Sequence, residues 1–199
     1  MQLSSDTEKM ILETARKEFE TKGYNGTRMQ SIADAAGISK ASLHYYFRSK
    51  DNLFEKIFND ALDEYVPLIS TWADDQLNWE EKIKRFTHDL VHFIKQGKML
   101  FIIREVNRDP SILEERIKRA KAQNKFVTYF DSVQAEGKIR KIDTRHLYVL
   151  LNSICCFPAI NQQMLQKALR LSPKQYDELM QSYAEVAADF FIHAIKKMK

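Results

Sequence analysis

The sequence predicts an all-α protein of about nine helices, and three observations carry that expectation. Glycine and proline are scarce, five and four in 199 residues, where average usage would bring roughly 12% of the chain. So little punctuation favours long helices over a turn-rich sandwich or barrel. Hydroxyl and amide residues recur three positions ahead of Glu or Gln at the head of apolar-periodic stretches, the capping-box pattern of helix starts. No segment alternates apolar and polar residues in the manner of a half-buried strand.

The elements follow in order. Ser5 with Glu8 opens a first helix over about residues 6–22, with Ile11, Ala15 and Phe19 inward and Gly23 as its stop. Thr27 with Gln30 opens a short second helix, with Met29, Ile32, Ala33 and Ala36 inward, that ends at Gly37. Ser39 caps a third, with Leu43 and Tyr46 inside. Ser49 caps a long fourth carrying Leu53, Phe54, Ile57, Phe58, Ala61, Leu62 and Tyr65. Pro67 should kink or divide that helix, because it lacks an N–H and crowds the preceding turn. Asn78 with Glu81 starts a fifth, closing at Gly97, and Met99 to Asn107 forms a short apolar sixth. Asp109-Pro110, a cap followed by proline at the first helical position, opens a seventh that runs to Glu136 and stops at Gly137. Asp143 caps an eighth, bent at Pro158 and ending near Leu171. Ser172-Pro173 repeats the cap-plus-proline start for a ninth, whose Leu179, Met180, Tyr183, Val186, Ala187, Phe190, Ala194 and Ile195 share one broad stripe.

Composition narrows the classes. Apolar residues make up 44% of the chain, enough for a real core. The N-terminus is amphipathic and charged, unlike a secretory signal. The longest apolar stretches, Met99 to Ile103 and Ser153 to Ile160, fall far short of the roughly 20 residues of a membrane span. A soluble, cytoplasmic protein with no membrane partner is expected. Cys155 and Cys156 are adjacent, which excludes a disulfide framework and leaves buried thiols or a thiol sensor. The net charge of +4 decides little. Its distribution, an acidic block over residues 51–79 between basic regions, permits nucleic-acid binding without demonstrating it.

Residues 27–47, TRMQSIADAAGISKASLHYYF, hold two short capped helices around a glycine turn, which is helix-turn-helix spacing. The second helix presents Lys40, Ala41, Ser42, His44 and Tyr45 outward. Small residues let the backbone approach base pairs, and the polar ones can bond base edges or phosphates. A purely structural helical hairpin is the other reading of the same pattern.

At these residues the chain resembles a family. Thr27 through Leu53, with GISKASLHYYFRSKDNL inside it, is similar to the DNA-binding segment of the TetR family of bacterial transcriptional regulators: a capping Thr, a Gly-aliphatic-Ser turn, a small-small-Leu-aromatic-Tyr recognition helix, then Phe, and a Ser-Lys pair at the fourth helix. Ala41 stands where Gly is common, His44 where Tyr is common and Tyr46 where His is common, which leaves base preference open. The resemblance covers about 45 residues; beyond them only helix count, order and length match.

The resemblance implies a helix-turn-helix DNA-binding domain over residues 1–50 and a helical effector-binding and dimerisation domain over 51–199. Thr27 and Lys50 would anchor phosphates, joined by Tyr45. Lys40, Ala41, Ser42 and His44 would approach bases, with Met29, Gln30 and Ser39 nearby. Ile32, Ala36, Leu43, Tyr46 and Phe47 belong to the core. Helices four to seven would enclose a small-molecule pocket, and helices eight and nine would pair with their copies in a homodimer, through Leu179, Tyr183, Val186 and Phe190. Such a dimer reads a palindromic operator in double-stranded DNA.

Trp72, Phe86, Phe93, Met99, Phe101, Ile102, Phe126, Tyr129, Phe130 and Phe157 can line an apolar pocket or be plain core. Arg104, in the apolar string MLFIIREV with Glu105, can read a polar ligand group or pair with neighbouring helices. The many Phe and Met favour a hydrophobic effector. With the resemblance of residues 27–53, the function expected is a repressor released from its operator by such a ligand. The rival is a helical metal-binding protein or metalloenzyme using His88 and His92 of HDLVH, spaced to share one metal. Asp89 replaces the glutamate of a zinc protease, and no third ligand is nominated. No enzyme motif and no cofactor motif is present.

Overall fold

The computed structural model describes residues 2–119 and 124–197. Among them are eleven α-helices and one 3-10 turn, and the only β pairing is an isolated bridge between Ile139 and Lys196. The helices are α1 Gln2–Gly26, α2 Met29–Ala35, α3 Lys40–Phe47, α4 Lys50–Ser70, α5 Trp79–Lys95, α6 Lys98–Arg108, α7 Ser111–Arg119, α8 Lys125–Ala135, α9 Thr144–Ile160, α10 Gln162–Ala168 and α11 Pro173–Ile195, with the 3-10 turn at Thr71–Ala73.

Local cap chemistry fixes several starts as expected. Ser39 accepts from the Ser42 amide, and Asp143 from that of Arg145. Asn78 with Glu81 and Ser172 with Gln175 form complete capping boxes, the latter with proline at the first turn of α11. Elsewhere the structure corrects the sequence reading. The first helix begins at Gln2, ahead of Ser5, whose side chain lies outside the described residues. Gly23 (φ 72°, ψ 172°) breaks it, and one more turn follows. The expected seventh helix is two, α7 and α8. Asn124 precedes α8 in the left-handed region (φ 59°), which no helix interior tolerates, and residues 120–123 lie outside the described set. The expected eighth is also two. Pro158 stays inside α9, and the break falls at Asn161, whose side-chain amide donates to the Phe157 carbonyl and competes with the helical ladder. Pro67 does not divide α4; it is exposed, and the helix continues to Ser70.

The chain forms two compact units. The first comprises residues through Glu64 together with Gly97–Asp109; the second comprises Tyr65–Gln96 and everything from Pro110. In the first, Ile11, Ala15 and Phe19 of α1 are fully buried, as are Ile32, Ala33, Leu43 and Leu53. Phe54 of α4 meets Phe19 edge-on at 5.2 Å and Phe101 of α6 at 5.6 Å. In the second, α5 packs along α11 and α9. Ile83, Phe86 and Leu90 are buried there, with Leu147 and Leu151 of α9 and Ala188, Phe191 and Ile192 of α11. Cys155 is buried in this core and Cys156 half-buried; burial pushes the Cys155 thiol up to about 12 and raises that of Cys156. Among the described residues no helix is long and apolar enough to cross a membrane.

Two outcomes follow from this packing. Leu43→Ala removes the fully buried anchor of α3 and should cost about 2–5 kcal/mol of stability, read from the midpoint of a urea unfolding curve; a loss below about 0.5 kcal/mol would mean that α3 is not held by its core face. A thiol kept protonated is a poor nucleophile, so iodoacetamide at pH 8 should leave Cys155 unlabelled in the native protein and label it after unfolding. Rapid native alkylation at that position would contradict the burial.

Candidate functional site

The turn between α2 and α3 is closed by backbone chemistry. The Gly37 amide donates to the Asp34 carbonyl (3.2 Å) and the Ile38 amide to that of Ala33 (3.0 Å), a Schellman pair. Gly37 sits at φ 66° with open space around a would-be Cβ, so backbone conformation alone demands glycine there. Ile32, Ala33, Leu43 and Phe47 turn inward, while Ser39, Lys40, Ala41, Ser42, His44 and Tyr45 are exposed. Tyr45 is 84% exposed, unusual for so large an aromatic. The Ser39 hydroxyl donates to that of Ser42 (3.0 Å) while receiving the Ser42 amide. His44 Nδ1 lies 2.8 Å from the Arg48 carbonyl. A carbonyl only accepts, so Nδ1 carries a proton in this contact, and Nε2 is the ring nitrogen left outward. On α2, Met29 is half-buried and Gln30 exposed, with its amide on Asp34. Arg28 and Arg48, exposed cations flanking the motif, were not singled out by sequence reasoning.

Two expected phosphate contacts sit elsewhere. Thr27 is 1% exposed, and its hydroxyl donates to the carbonyls of Gly23 (2.8 Å) and Glu18 (3.1 Å). The capping box at Thr27 does not form, since the position ahead of α2 is Arg28, with no side-chain cap. The half-buried Lys50 ammonium donates to the carbonyls of Tyr24 (3.0 Å) and Thr27 (3.2 Å) and lies 4.2 Å from the Tyr24 ring centroid. Both side chains are engaged inside the fold.

The second unit holds a cavity of about 280 Å³. Tyr65, Ile69 and Trp72 form one wall and Leu113 and Ile117 of α7 another; Asn124 and the first turn of α8, Lys125, Phe126 and Val127, form a third, and Tyr148 of α9 completes it. Of the sequence-nominated aromatics, Trp72 and Phe126 line it, their rings 4.8 Å apart. Phe130 and Phe86 pack behind Trp72, at 5.8 and 4.7 Å. Phe93 packs on Tyr65 at 5.9 Å, and Tyr129 lies under the buried Lys82 ammonium at 3.6 Å. None of these four lines the cavity, and Phe101, Arg104 and Phe157 are engaged elsewhere. Phe101 joins the aromatic layer of α4. Arg104 donates to the carbonyls of Phe19 and Glu20 and pairs with the buried Glu105, which Arg108 also holds at 2.9 Å. Phe157 faces outward on α9. The wall as a whole carries no local signal, because a wall drawn from four segments is a tertiary property; only Tyr65 with Ile69 on α4 and Leu113 with Ile117 on α7, each pair four apart, share a visible stripe.

On α11, Val186 (61% exposed) and Phe190 (70%) continue a stripe from the exposed Leu179, while Tyr183 is half-buried with its hydroxyl on the Ile154 carbonyl. Val149, Leu150, Phe157 and Ile160 of α9 are exposed as well. His88 bonds Asp89 and His92 bonds Gln96, and among the described residues no three His, Cys, Asp or Glu side chains gather as a metal set.

Comparisons with known proteins agree with this geometry. Residues 11–57 match the family of bacterial regulatory proteins, tetR family. The chain is 24% identical over 177 residues to a probable HTH-type transcriptional regulator, YttP of Bacillus subtilis (strain 168), covering 85% of this chain and 84% of that one. It is 28% identical over 151 residues to the HTH-type transcriptional regulator RutR of Escherichia coli (strain K12), covering 74% and 71%. A TetR family transcription regulator from Marinobacter aquaeolei VT8 shares the fold over all of both chains, with a TM-score of 0.69 at 18% identity. Residues 11–57 therefore form a TetR-family helix-turn-helix, the segment through which such regulators bind DNA, and the fold of the chain is that of a TetR family regulator.

Proposed function

We propose that the protein is a homodimeric repressor that reads a palindromic operator through α3 and is released when a small, largely apolar ligand fills the cavity of the second unit. The observation that carries the DNA reading is the outward face of α3: Lys40, Ala41, Ser42, His44 and Tyr45 are all exposed, with no acidic residue among them. Lys40 and the Tyr45 hydroxyl suit phosphates, with Arg28 as a further cation. Ser39, Ser42 and His44 suit base edges, and Met29 and Gln30 flank them. With Nδ1 of His44 held by the Arg48 carbonyl, Nε2 is the ring atom free to meet a base edge in the major groove. Thr27 and Lys50 act in this reading by holding the motif in place, since their polar atoms are already bonded within the chain.

The dimer reading rests on the exposed stripe of Leu179, Val186 and Phe190 with Phe157 and Ile160. Rows of large apolar side chains at helical spacing mark an interaction surface rather than ordinary solvent-facing residues. Two copies joined there as a four-helix bundle would carry two reading heads, and two heads about 34–36 Å apart address successive major grooves. Ligand control then requires only that the filled cavity favour an arrangement that fits DNA less well.

Palindromes selected by the protein from random DNA provide the test. Lys40→Ala with Tyr45→Ala should weaken binding to every sequence and reduce the salt slope by about 0.9 for each phosphate left without its cation. Ser42→Ala and His44→Ala should instead relax base preference, each by about 1–3 kcal/mol of discrimination. Unchanged affinity in the first variant would remove α3 from the interface. For assembly, Val186→Glu with Phe190→Glu should sediment as a folded monomer that no longer binds the palindrome; a variant that stays dimeric would place the interface elsewhere.

A further inference from the structure

The chemistry of the cavity wall narrows its ligand further, granted the reading above that this cavity holds the effector. Its apolar part, Ile69, Leu113, Ile117, Phe126 and Val127, suits a hydrocarbon or aromatic body. Its volume lies at the lower end of the roughly 300–1,000 Å³ of small-molecule sites, so that body is compact.

The polar part of the wall is one-sided. Tyr65 and Tyr148 supply hydroxyls to the wall, and Lys125 supplies an ammonium. α8 begins at Lys125 with no side-chain cap from Asn124, so its first turn adds positive potential of the same sign. Among the described residues no Asp or Glu lines the cavity. A cation entering here would meet no counter-charge, and a sugar would find many donors but few acceptors.

We infer that the cavity takes an organic anion: a compact apolar or aromatic body with a carboxylate or comparable acidic head, held by Lys125 and the hydroxyls of Tyr65 and Tyr148. The tyrosines serve as donors because burial raises their ionisation above the ordinary phenol range, which keeps both protonated at neutral pH.

Three probes with one body and different heads test this: 4-phenylbutyrate, 4-phenylbutan-1-ol and 4-phenylbutylammonium, titrated calorimetrically into the full-length protein. A charge-assisted contact is worth roughly tenfold or more in affinity, so the carboxylate should bind about tenfold tighter than the alcohol, and the ammonium most weakly. Lys125→Met should erase most of the carboxylate-over-alcohol ratio, and Tyr148→Phe should reduce it. Equal binding of the three heads, preference for the ammonium, or a ratio unchanged in Lys125→Met would overturn the anion inference while leaving an apolar effector cavity in place. Binding of none of them, in a protein that still binds its selected DNA, would overturn the inference and the effector reading of this cavity together.

Discussion

A helix leaves its last carbonyls without internal partners, and at the end of α1 three other elements supply them. Arg104 of α6 donates to the carbonyls of Phe19 and Glu20. Thr27, ahead of α2, donates to those of Glu18 and Gly23, and Lys50 at the head of α4 to those of Tyr24 and Thr27. Two of the three donors are cations, which the negative end of a helix favours. The Tyr24 ring lies beneath both Lys50 and Arg108, and its hydroxyl bonds Asp51. The placement of α2, α4 and α6 in the first unit is therefore referred to one short stretch of backbone. The exposed face of α3 inherits its orientation from that stretch through the Gly37 turn.

The second unit has a comparable fixed point in Lys82. Its ammonium is buried, donates to the Trp72 carbonyl (3.2 Å) and rests on the Tyr129 ring. Burial lowers its pKa, because desolvation disfavours the charged form. One carbonyl and one aromatic face are modest compensation for an ammonium. What they accomplish is positional: the carbonyl belongs to the 3-10 turn that presents the Trp72 indole to the cavity, and the ring belongs to α8, whose first turn forms another wall. Phe86, Phe126 and Phe130 then close around the indole.

What could be read from the sequence divides along the range of the interactions. The caps at Ser39, Asn78, Asp143 and Ser172 are made within three residues, and each formed where its pattern stood. The reading motif was legible for the same reason, since its turn and cap are local and its inward and outward residues follow helical spacing. Thr27 looked like a cap because Gln30 follows it; its hydroxyl went instead to carbonyls four and nine residues upstream. Lys50 and Arg104 looked available for a ligand or a phosphate, and only the fold shows that their partners are backbone oxygens 23 to 26 and 84 to 85 residues away. Phe101 and Trp72 are both aromatics on apolar stripes, and nothing near either one tells that the first is core and the second faces a cavity.

Ligand control of DNA affinity needs a continuous physical link in which two arrangements differ in free energy, and the most direct candidate is α4 itself. Its first residue, Lys50, holds the end of α1, and its last turns carry Tyr65 and Ile69 of the cavity wall. Pro67 lies between those two and cannot donate the backbone bond that a residue there would otherwise give, so the ladder is weakened beside the cavity rather than at the reading motif. A helix bends where its ladder is interrupted. In the proposed reading a ligand in the cavity would press on Tyr65 and Ile69, on either side of that missing bond. Before Pro67, Leu53, Phe54, Ile57, Phe58, Ala61 and Leu62 are all buried, so that stretch of α4 is braced along its whole core face against local deformation.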